Sequence, residues 1–340
     1  MDMSSFTVIG ENIHCTRIVK LGGKHTVDLP GGGHGLAFRY RDEDRILRVP
    51  PDWGERSPAF GSGKVKHVAL AIHQALNGSG EDCTAGQDYL AYAAERQIDA
   101  GAGYLDVNVD EYSNDPAERG QTMRWLAEFL CARYDVPLSI DSSSAETMAD
   151  GLEASRKEAV LPMVNSVSLE RVEYVDLIRD FDASAVVSAA GKKDLPTDVD
   201  GRLANFEQIV GLLEAAGVGR DRMHLDPLVF PISTEPMHGR NFLAATAEAK
   251  RRFEGAHLCG GFSNVSFGMP QRKLLNMVFV YLAIEAGASS GIIDPTSMPL
   301  EAIAAMDRTS EPFRLAEAFL TGEDMYGMEF IAAHRAGKLD

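Results

Sequence analysis

Acidic and amide side chains recur along this chain, each near the end of a short apolar segment. Six of them stand out: Glu11, Asn108, Asp141, Asn165, Asp226 and Asn264. A carboxylate accepts two neighbouring N–H hydrogen bonds, and a primary amide both donates and accepts. No Lys or Arg belongs to the set. The set therefore suits a flat, uncharged heterocycle with several N–H donors and ring acceptors.

Two other uses of these residues compete with ligand binding. Any one of them alone could be a strand-end turn or a helix cap, where Asp and Asn are common; six in succession weaken that interpretation. A metal site would need a histidine or a tight acidic cluster. The nearest histidines are His14 and His224, and His224 shares a strand face with Asp226. We predict no metal at this site.

Strands and helices alternate along the chain and would have to position these residues. The predicted strands are Phe6–Asn12, Tyr104–Asp110, Pro137–Ser142, Leu161–Val167, Ala183–Gly191, Met223–Phe230, His257–Ser266 and Ser290–Pro295. Amphipathic helices are predicted between them, at about 87–99, 116–133, up to 154, 172–179, 205–216, 242–253 and 270–286. Eight such repeats predict an α/β fold, a TIM-type (β/α)₈ barrel, whose active site lies at the carboxyl ends of the strands.

A long insertion is predicted after the first strand. Residues 15–83 are rich in glycine and proline turns, with a helix-like segment at Val65–Leu76. We interpret this stretch as an irregular insertion, partly structured as a lid or an interface. The chain as a whole, residues 1–340, is predicted to be a single barrel domain.

Composition excludes several functional classes. No apolar run is long enough for a transmembrane helix, and the first residues lack a signal-peptide pattern, so we expect a cytoplasmic protein with no membrane partner. A formal net charge of -17 argues against nucleic-acid binding. The four cysteines are scattered, with no CxxC pair, which predicts free thiols.

Several motifs carry a family resemblance. YLDVNVD, LSIDSSS, MVNSVSLE, HLDPLVFP and GFSNVSFGMPQRKLLN resemble the successive motifs of the pterin-binding family. Within this family they are similar to the methyltetrahydrofolate:corrinoid methyltransferases, including the corrinoid/iron-sulfur-protein type and the folate domain of cobalamin-dependent methionine synthase. Dihydropteroate synthases, another branch, end the seventh strand with a Ser-Arg-Lys type motif, which is absent here.

The resemblance implies roles for the six residues. Asp141, Asn165 and Asp226 would hold the pterin ring, with Asn108 and Glu11 as further pocket residues. Asn264 would hydrogen-bond near N5, the nitrogen that carries the methyl group, so Asn264 and Asp141 are the predicted catalytic residues. The implied substrates are tetrahydrofolate and 5-methyltetrahydrofolate, together with a corrinoid supplied by a partner protein, because no DxHxxG cobalamin motif surrounds any of the nine histidines. A homodimer is a further expectation from the family.

The first strand departs from the family pattern. The family has a GERIN-like strand end, whereas this chain has GENIH, so that Asn12 replaces the basic residue and His14 replaces the asparagine. Two alternatives to the methyltransferase therefore stay open. One is another pterin enzyme of the dihydropteroate synthase type, and the other is a non-catalytic folate-binding or corrinoid-docking subunit.

Overall fold

The computed structural model describes Met3 and residues 5–339. Its strands, numbered in chain order, are β1 (Thr7–His14), β2 (Ile18–Lys20), β3 (Thr26–Asp28), β4 (His34–Tyr40), β5 (Glu43–Arg48), β6 (Lys64–Lys66), β7 (Ala102–Asn108), β8 (Leu138–Asp141), β9 (Met163–Val167), β10 (Ser184–Ser188), β11 (Met223–Asp226), β12 (His257–Leu258) and β13 (Ser290–Ile293).

The helices follow the strands in regular alternation from β7 onward. They are α1 (Trp53–Arg56), α2 (His67–Asn77), α3 (Glu81–Asp99), α4 (Pro116–Cys131), α5 (Ala145–Ala154), α6 (Tyr174–Asp180), α7 (Val199–Ala215), α8 (His238–Arg252), α9 (Arg272–Ala286), α10 (Leu300–Ala304), α11 (Glu311–Leu320) and α12 (Met328–Arg335). Among the residues described, none of these helices is both long and apolar enough to cross a membrane.

Eight strands form one sheet in the order β12-β11-β10-β9-β8-β7-β1-β13. The pairs whose register is defined in this sheet are parallel, as between β7 and β8 and between β10 and β11. The two strands at the ends of this order also meet, because Ser289 N donates to Leu258 O at 3.0 Å and Ile292 N donates to Gly260 O at 3.0 Å. The chain therefore has the TIM-type (β/α)₈ fold, and the prediction of fold class is confirmed.

The chain divides into two compact units. The N-terminal unit comprises Glu11–Asp99 and Leu105–Val160, and the C-terminal unit comprises the residues up to Gly10, Ala100–Tyr104 and the residues from Leu161 onward. In the C-terminal unit, strand interiors contribute a core of Ile9, Met163, Val186 and Cys259, with Tyr104 and Ile292 packed against it. Burial of these apolar side chains stabilises the unit by roughly 1.5–3 kcal/mol for each large side chain.

The segment after β1 lies in the N-terminal unit and contains regular structure. β3, β4 and β5 form an antiparallel sheet, and β2 pairs with β6. Arg41 and Asp42 have positive φ between β4 and β5, so they form a two-residue hairpin turn. Helix α2 then covers most of the predicted helical segment, and α3 begins at Glu81.

Local sequence explains where several elements begin. Asp198 accepts a hydrogen bond from Gly201 N at 2.7 Å and starts α7, earlier than the predicted residue 205. The largest difference concerns the predicted strand His257–Ser266. Only His257 and Leu258 are extended, and residues 262–264 form a 3₁₀ turn. Asn264 therefore lies in a turn after the strand rather than at its end.

Candidate functional site

Three strand ends of the N-terminal unit bring together a group of polar side chains, which we name the His14 cluster: Glu11, His14, Asp106, Asn108 and Asp141. In the parallel register of β7 and β8, Asp106 lies opposite Ser139 and Asn108 lies opposite Asp141. Side chains two residues apart share a strand face, so Asp106 and Asn108 point the same way.

Hydrogen bonds fix the predicted ligand residues within this cluster. Asn108 Nδ2 donates to Asp141 Oδ2 at 3.0 Å, and Asn108 Oδ1 accepts from Asp110 N at 3.0 Å. Glu11 forms an ion pair with Arg17, with 3.0 Å between Oε1 and the guanidinium nitrogen. The cluster therefore contains three of the six residues predicted from the sequence, two of them directly bonded.

Asp110 links the loops that follow β7 and β8 by hydrogen bonds. Its carboxylate accepts from Ser142 Oγ at 2.7 Å, from Ser143 N at 2.8 Å and from Ser143 Oγ at 2.7 Å. Charge-assisted bonds of this length hold the loop after Asp141 in one conformation. Asp110 thus positions the strand end that carries the predicted ligand residue.

The cluster also contains a histidine–carboxylate pair that the sequence analysis did not assign. His14 Nε2 lies 2.6 Å from Asp106 Oδ2, and Asp106 is fully buried whereas 14% of the His14 side chain is exposed. From the sequence, His14 is a candidate metal ligand and a departure from the family pattern, and its pairing with Asp106 is not predicted. The available signal was strand alternation, which puts Asp106 on the face of Asn108.

Two pKa values in this cluster are raised above their ordinary values, those of Asp141 and His14. Burial raises the pKa of Asp141 to about 7, and the charge of Asp106 adds to this rise while His14 opposes it. Burial alone would lower the pKa of His14, but its hydrogen bond to Asp106 and the charges of Asp106, Asp141 and Glu11 raise it above its ordinary value of 6.5. The cluster can therefore gain or lose a proton near neutral pH.

A metal ion is the other ligand that such residues could hold. One atom each of His14, Asp106 and Asp141 lies within 4.8 Å of the others. However, two ligand atoms about 2.1 Å from one ion and about 90° apart are about 3.0 Å from each other. The 2.6 Å between His14 Nε2 and Asp106 Oδ2 is shorter and is a hydrogen-bond distance. We therefore assign the pair as a hydrogen bond and not as metal ligands.

The other three predicted residues lie in the C-terminal unit. Asn165 is in the middle of β9, preceding a cis peptide bond to Ser166, and the register of β9 with β10 shifts just beyond it. Asp226 is the last residue of β11, and its Oδ1 accepts from Leu228 N at 2.8 Å. Burial raises the pKa of Asp226 to about 6, while that backbone hydrogen bond and the charge of Arg202 oppose the rise.

Arg202 is a fully buried cation near Asp226. Its Nε donates to Pro196 O at 3.3 Å, and its guanidinium carbon lies 5.6 Å from the centre of the Phe230 ring. Its two terminal nitrogens have no hydrogen-bond partner among the residues described. Burying a charge with so few partners costs folding free energy. The charge of Arg202 acts on Asp226, because it opposes the rise in the pKa of that carboxyl group.

Asn264 is presented on an exposed turn that Arg272 stabilises. Arg272 donates to Ser263 O at 2.9 Å and to Ser266 Oγ at 3.1 Å, on either side of Asn264. Phe267 follows the turn and is 65% exposed, with the Arg272 guanidinium 5.8 Å from its ring centre. The Asn264 side chain is therefore held by a defined backbone and is accessible to a ligand.

Comparisons with known proteins agree with these observations. The family model described as pterin binding enzyme matches residues 81–294, which is more than half of the chain. A curated protein from Eubacterium limosum, methylcorrinoid:tetrahydrofolate methyltransferase, is 28% identical over 257 residues, covering 74% of this chain and 89% of the relative.

Solved structures of dihydropteroate synthases share the fold. The Yersinia pestis enzyme with a sulfonamide drug complex aligns with a TM-score of 0.54 at 18% identity, over 89% of this chain and 93% of that one. The Xanthomonas albilineans enzyme in complex with 7,8-dihydropteroate has a TM-score of 0.52 at 20% identity, over 64% and 83%. At such identities the likeness establishes the fold alone.

Eight parallel strands with carboxylate and amide groups at their ends, together with the family match, define the class of this protein. The chain belongs to the family of pterin-binding enzymes.

Proposed function

We propose that this protein transfers the N5-methyl group between methyltetrahydrofolate and the cobalt of a corrinoid carried on a separate protein. The observation that carries the proposal is the pair of strand-end carboxyl groups with pKa values near neutrality, Asp141 at about 7 and Asp226 at about 6.

Such carboxyl groups suit the edge of a pterin ring. That edge presents an amino group and a ring N–H beside a carbonyl, and a carboxylate accepts from the two N–H groups together. A bound pterin would thus supply the hydrogen bonds that favour the ionised carboxylates, which burial otherwise disfavours. Asn108, Glu11 and Asn165 would complete the polar contacts to the ring.

Asn264 would act at the nitrogen that exchanges the methyl group. A methyl group on a tertiary amine is a poor electrophile, so the departing nitrogen must be stabilised as the C–N bond breaks. A hydrogen bond from the Asn264 amide that strengthens in the transition state would lower the barrier. Its exposed position on a turn fastened by Arg272 supports this role.

The relative from Eubacterium limosum supports the substrate pair, because its printed name joins a methylcorrinoid with tetrahydrofolate. Its name also favours transfer from the corrinoid to the folate as the working direction. Docking of a corrinoid protein, a homodimer and a cytoplasmic location are further parts of the proposal that derive from the sequence analysis.

Replacing Asn264 tests the proposed reaction. With methyltetrahydrofolate and chemically reduced cob(I)alamin as probes, we expect Asn264→Ala to lower kcat about 10²–10³-fold, because one donor to the transition state is lost. Binding of methyltetrahydrofolate, measured by calorimetry, should change by less than about fivefold. Asn77→Ala, at the exposed end of α2, is the matched control and should behave as wild type.

Three results would contradict the proposal in different ways. Absence of folate binding would remove the substrate. Binding without methyl transfer would favour a docking or folate-binding subunit. Condensation of a pterin with p-aminobenzoate would favour the dihydropteroate synthase type of enzyme.

A further inference from the structure

We propose that His14, held by Asp106, is the acid–base residue that exchanges a proton with N5 of the folate during methyl transfer. This inference rests on the proposed function and adds to it the group that supplies the proton. Asn264 stabilises the nitrogen by a hydrogen bond but, as an amide, has no proton to give up at neutral pH.

The geometry of the pair gives the two ring nitrogens of His14 different roles. Its Nε2 is 2.6 Å from a carboxylate oxygen of Asp106, which is fully buried. The Asp106 carboxyl oxygen can accept a hydrogen bond from Nε2–H, which leaves Nδ1 as the atom that can bind or release a proton. The hydrogen bond to Asp106 uses Nε2, and 14% of the His14 side chain is exposed, so we assign the exchange of the proton to Nδ1.

The negative charges around His14 favour the protonated form of its ring. Asp106 on β7 and Asp141 on β8 face the ring, and Glu11 on its own strand contributes a third negative charge, partly offset by the ion pair with Arg17. These carboxylates outweigh the cost of burying the imidazolium and raise the pKa of His14 above 6.5. General acids and bases work best when their pKa lies near the operating pH.

His14 alone can supply or accept the one proton that the methyl transfer requires at N5. When cobalt is methylated, the C–N5 bond breaks and its electron pair stays on N5, while Co(I) supplies the pair for the Co–C bond and becomes Co(III). The proton of the His14 Nδ1–H then goes to N5. In the opposite direction neutral His14 takes the proton from N5–H as the nitrogen attacks the methyl group, and the cobalt leaves as Co(I).

Glutamine at position 14 separates proton transfer from structure. His14→Gln removes the ring nitrogen Nδ1 that would bind and release the proton, but the glutamine amide nitrogen can still donate to Asp106. We expect kcat for transfer to cob(I)alamin to fall about 10²–10³-fold, within the usual range for general acid catalysis. The dissociation constant of methyltetrahydrofolate should stay within about threefold, and the melting temperature should confirm folding.

The pH profile gives a readout that a merely structural role would not change. Wild-type kcat in the cobalt-methylating direction should fall as pH rises through the pKa of His14, above 6.5. The His14→Gln variant should lack that decline. Asp106→Asn should move it to lower pH, because the charge that raises the His14 pKa is removed. Asp141→Asn should keep a decline, which separates His14 from the carboxyl group with a pKa of about 7.

A second histidine–aspartate pair provides the matched control. His34 Nδ1 lies 2.9 Å from Asp28 Oδ1 in the sheet of β3 and β4, where His34 is 41% exposed. His34→Gln should leave kcat and the pH profile unchanged. Asp106→Asn, with its expected shift of the pH profile, serves if the glutamine variant does not fold.

The outcomes distinguish this inference from the proposed function. A wild-type protein that transfers no methyl group contradicts both. An active wild type whose His14→Gln variant keeps its kcat and pH profile contradicts only the role of His14. A stoichiometric metal ion in the purified protein, with activity lost on chelation, would also overturn it, because His14 and Asp106 would then be ligands.

Discussion

Buried charge in the C-terminal unit leads to a prediction about one residue, Arg202. Its positive charge opposes the rise in the pKa of Asp226, yet its terminal nitrogens have no hydrogen-bond partner among the described residues. In Arg202→Met the pKa of Asp226 should rise above about 6, so methyltetrahydrofolate should bind less tightly at pH 7 and recover affinity at higher pH. The melting temperature should change little, because replacing a poorly partnered buried charge by an apolar side chain is often neutral.

The control for Arg202 is an arginine whose charge lies at the surface. Arg251→Met removes an exposed ion pair with Glu248 and should leave affinity unchanged at every pH. Calorimetric titrations of both variants between pH 6 and about 9 measure the difference. If Arg202→Met binds as wild type across this range, the arginine has no influence on the ligand-binding carboxyl group.

At the level of single residues, the sequence correctly placed Asn108, Asp141 and Asp226 at the ends of their strands. It was wrong about Asn165, in the middle of β9, and Asn264, in a turn, and it did not predict how the polar groups pair. Asn108 and Asp141 could be placed at neighbouring strand ends because the carboxyl ends of parallel strands share one edge. The bond from His14 to Asp106 depends on the register and orientation of β1 against β7, which periodicity does not determine. Asp106 was therefore overlooked, since inside a strand it resembles any inward-facing residue.

Among the elements, the turn that carries Asn264 gives the next prediction. A Cβ atom added to Gly261 would lie 3.2 Å from Asn264 Nδ2. Gly261→Ala should therefore displace the amide by a few tenths of an ångström, and we expect kcat to fall about tenfold or more, since small misplacements at a reacting centre are costly. Folding should be retained, because φ of Gly261 is -79°, which alanine also adopts.

A second glycine shows whether the loss is local. Gly211 lies on the exposed side of α7, and an added Cβ would meet nothing within 4 Å. Gly211→Ala should stabilise the protein by about 0.5–1 kcal/mol, because alanine is the better helix former, and should leave kcat unchanged. Equal activity of the two variants would show that the Asn264 turn tolerates displacement.

Elements were predicted best where apolar periodicity is strong and worst at turns. The strand at Met223 and the helix at Pro116 begin at the predicted residues, and the helices α3 and α7 begin earlier than expected because acidic residues favour their first turns. The predicted strand from His257 to Ser266 is wrong beyond Leu258. Gly260 and Gly261 still contact β13, through the hydrogen bond from Ile292 N to Gly260 O and a bridge between Gly261 and Ile292, and the chain then turns at residues 262–264.

On the scale of the whole molecule, alternation of strands and helices was sufficient to predict the (β/α)₈ fold. The division into two compact units was not predictable in this way, because two of its four boundaries fall inside strands, after Gly10 in β1 and after Tyr104 in β7. A strand that serves two units has the same apolar pattern as any other. The segment after β1 was equally hard, because short antiparallel strands between glycines have little periodicity.

The free energy of unfolding of the whole protein should depend on pH, because ionising the buried carboxyl group of Asp226 destabilises the folded state. Burial raises the pKa of Asp226 from 3.8 to about 6, so the folded state holds a proton that the unfolded state has released between these pH values. The free energy of unfolding therefore falls as pH rises through this window, by on the order of 3 kcal/mol for this group.

Asp226→Asn keeps an oxygen to accept from Leu228 N and removes the charge. We expect this variant to be more stable than wild type at pH 8, with the difference vanishing by about pH 4, and to bind folate more weakly. Urea unfolding at both pH values measures the effect, with Asp28→Asn, at an exposed position, as control. Equal stability of Asp226→Asn and wild type at pH 8 would contradict the electrostatic cost from which the ligand-binding role of Asp226 is argued.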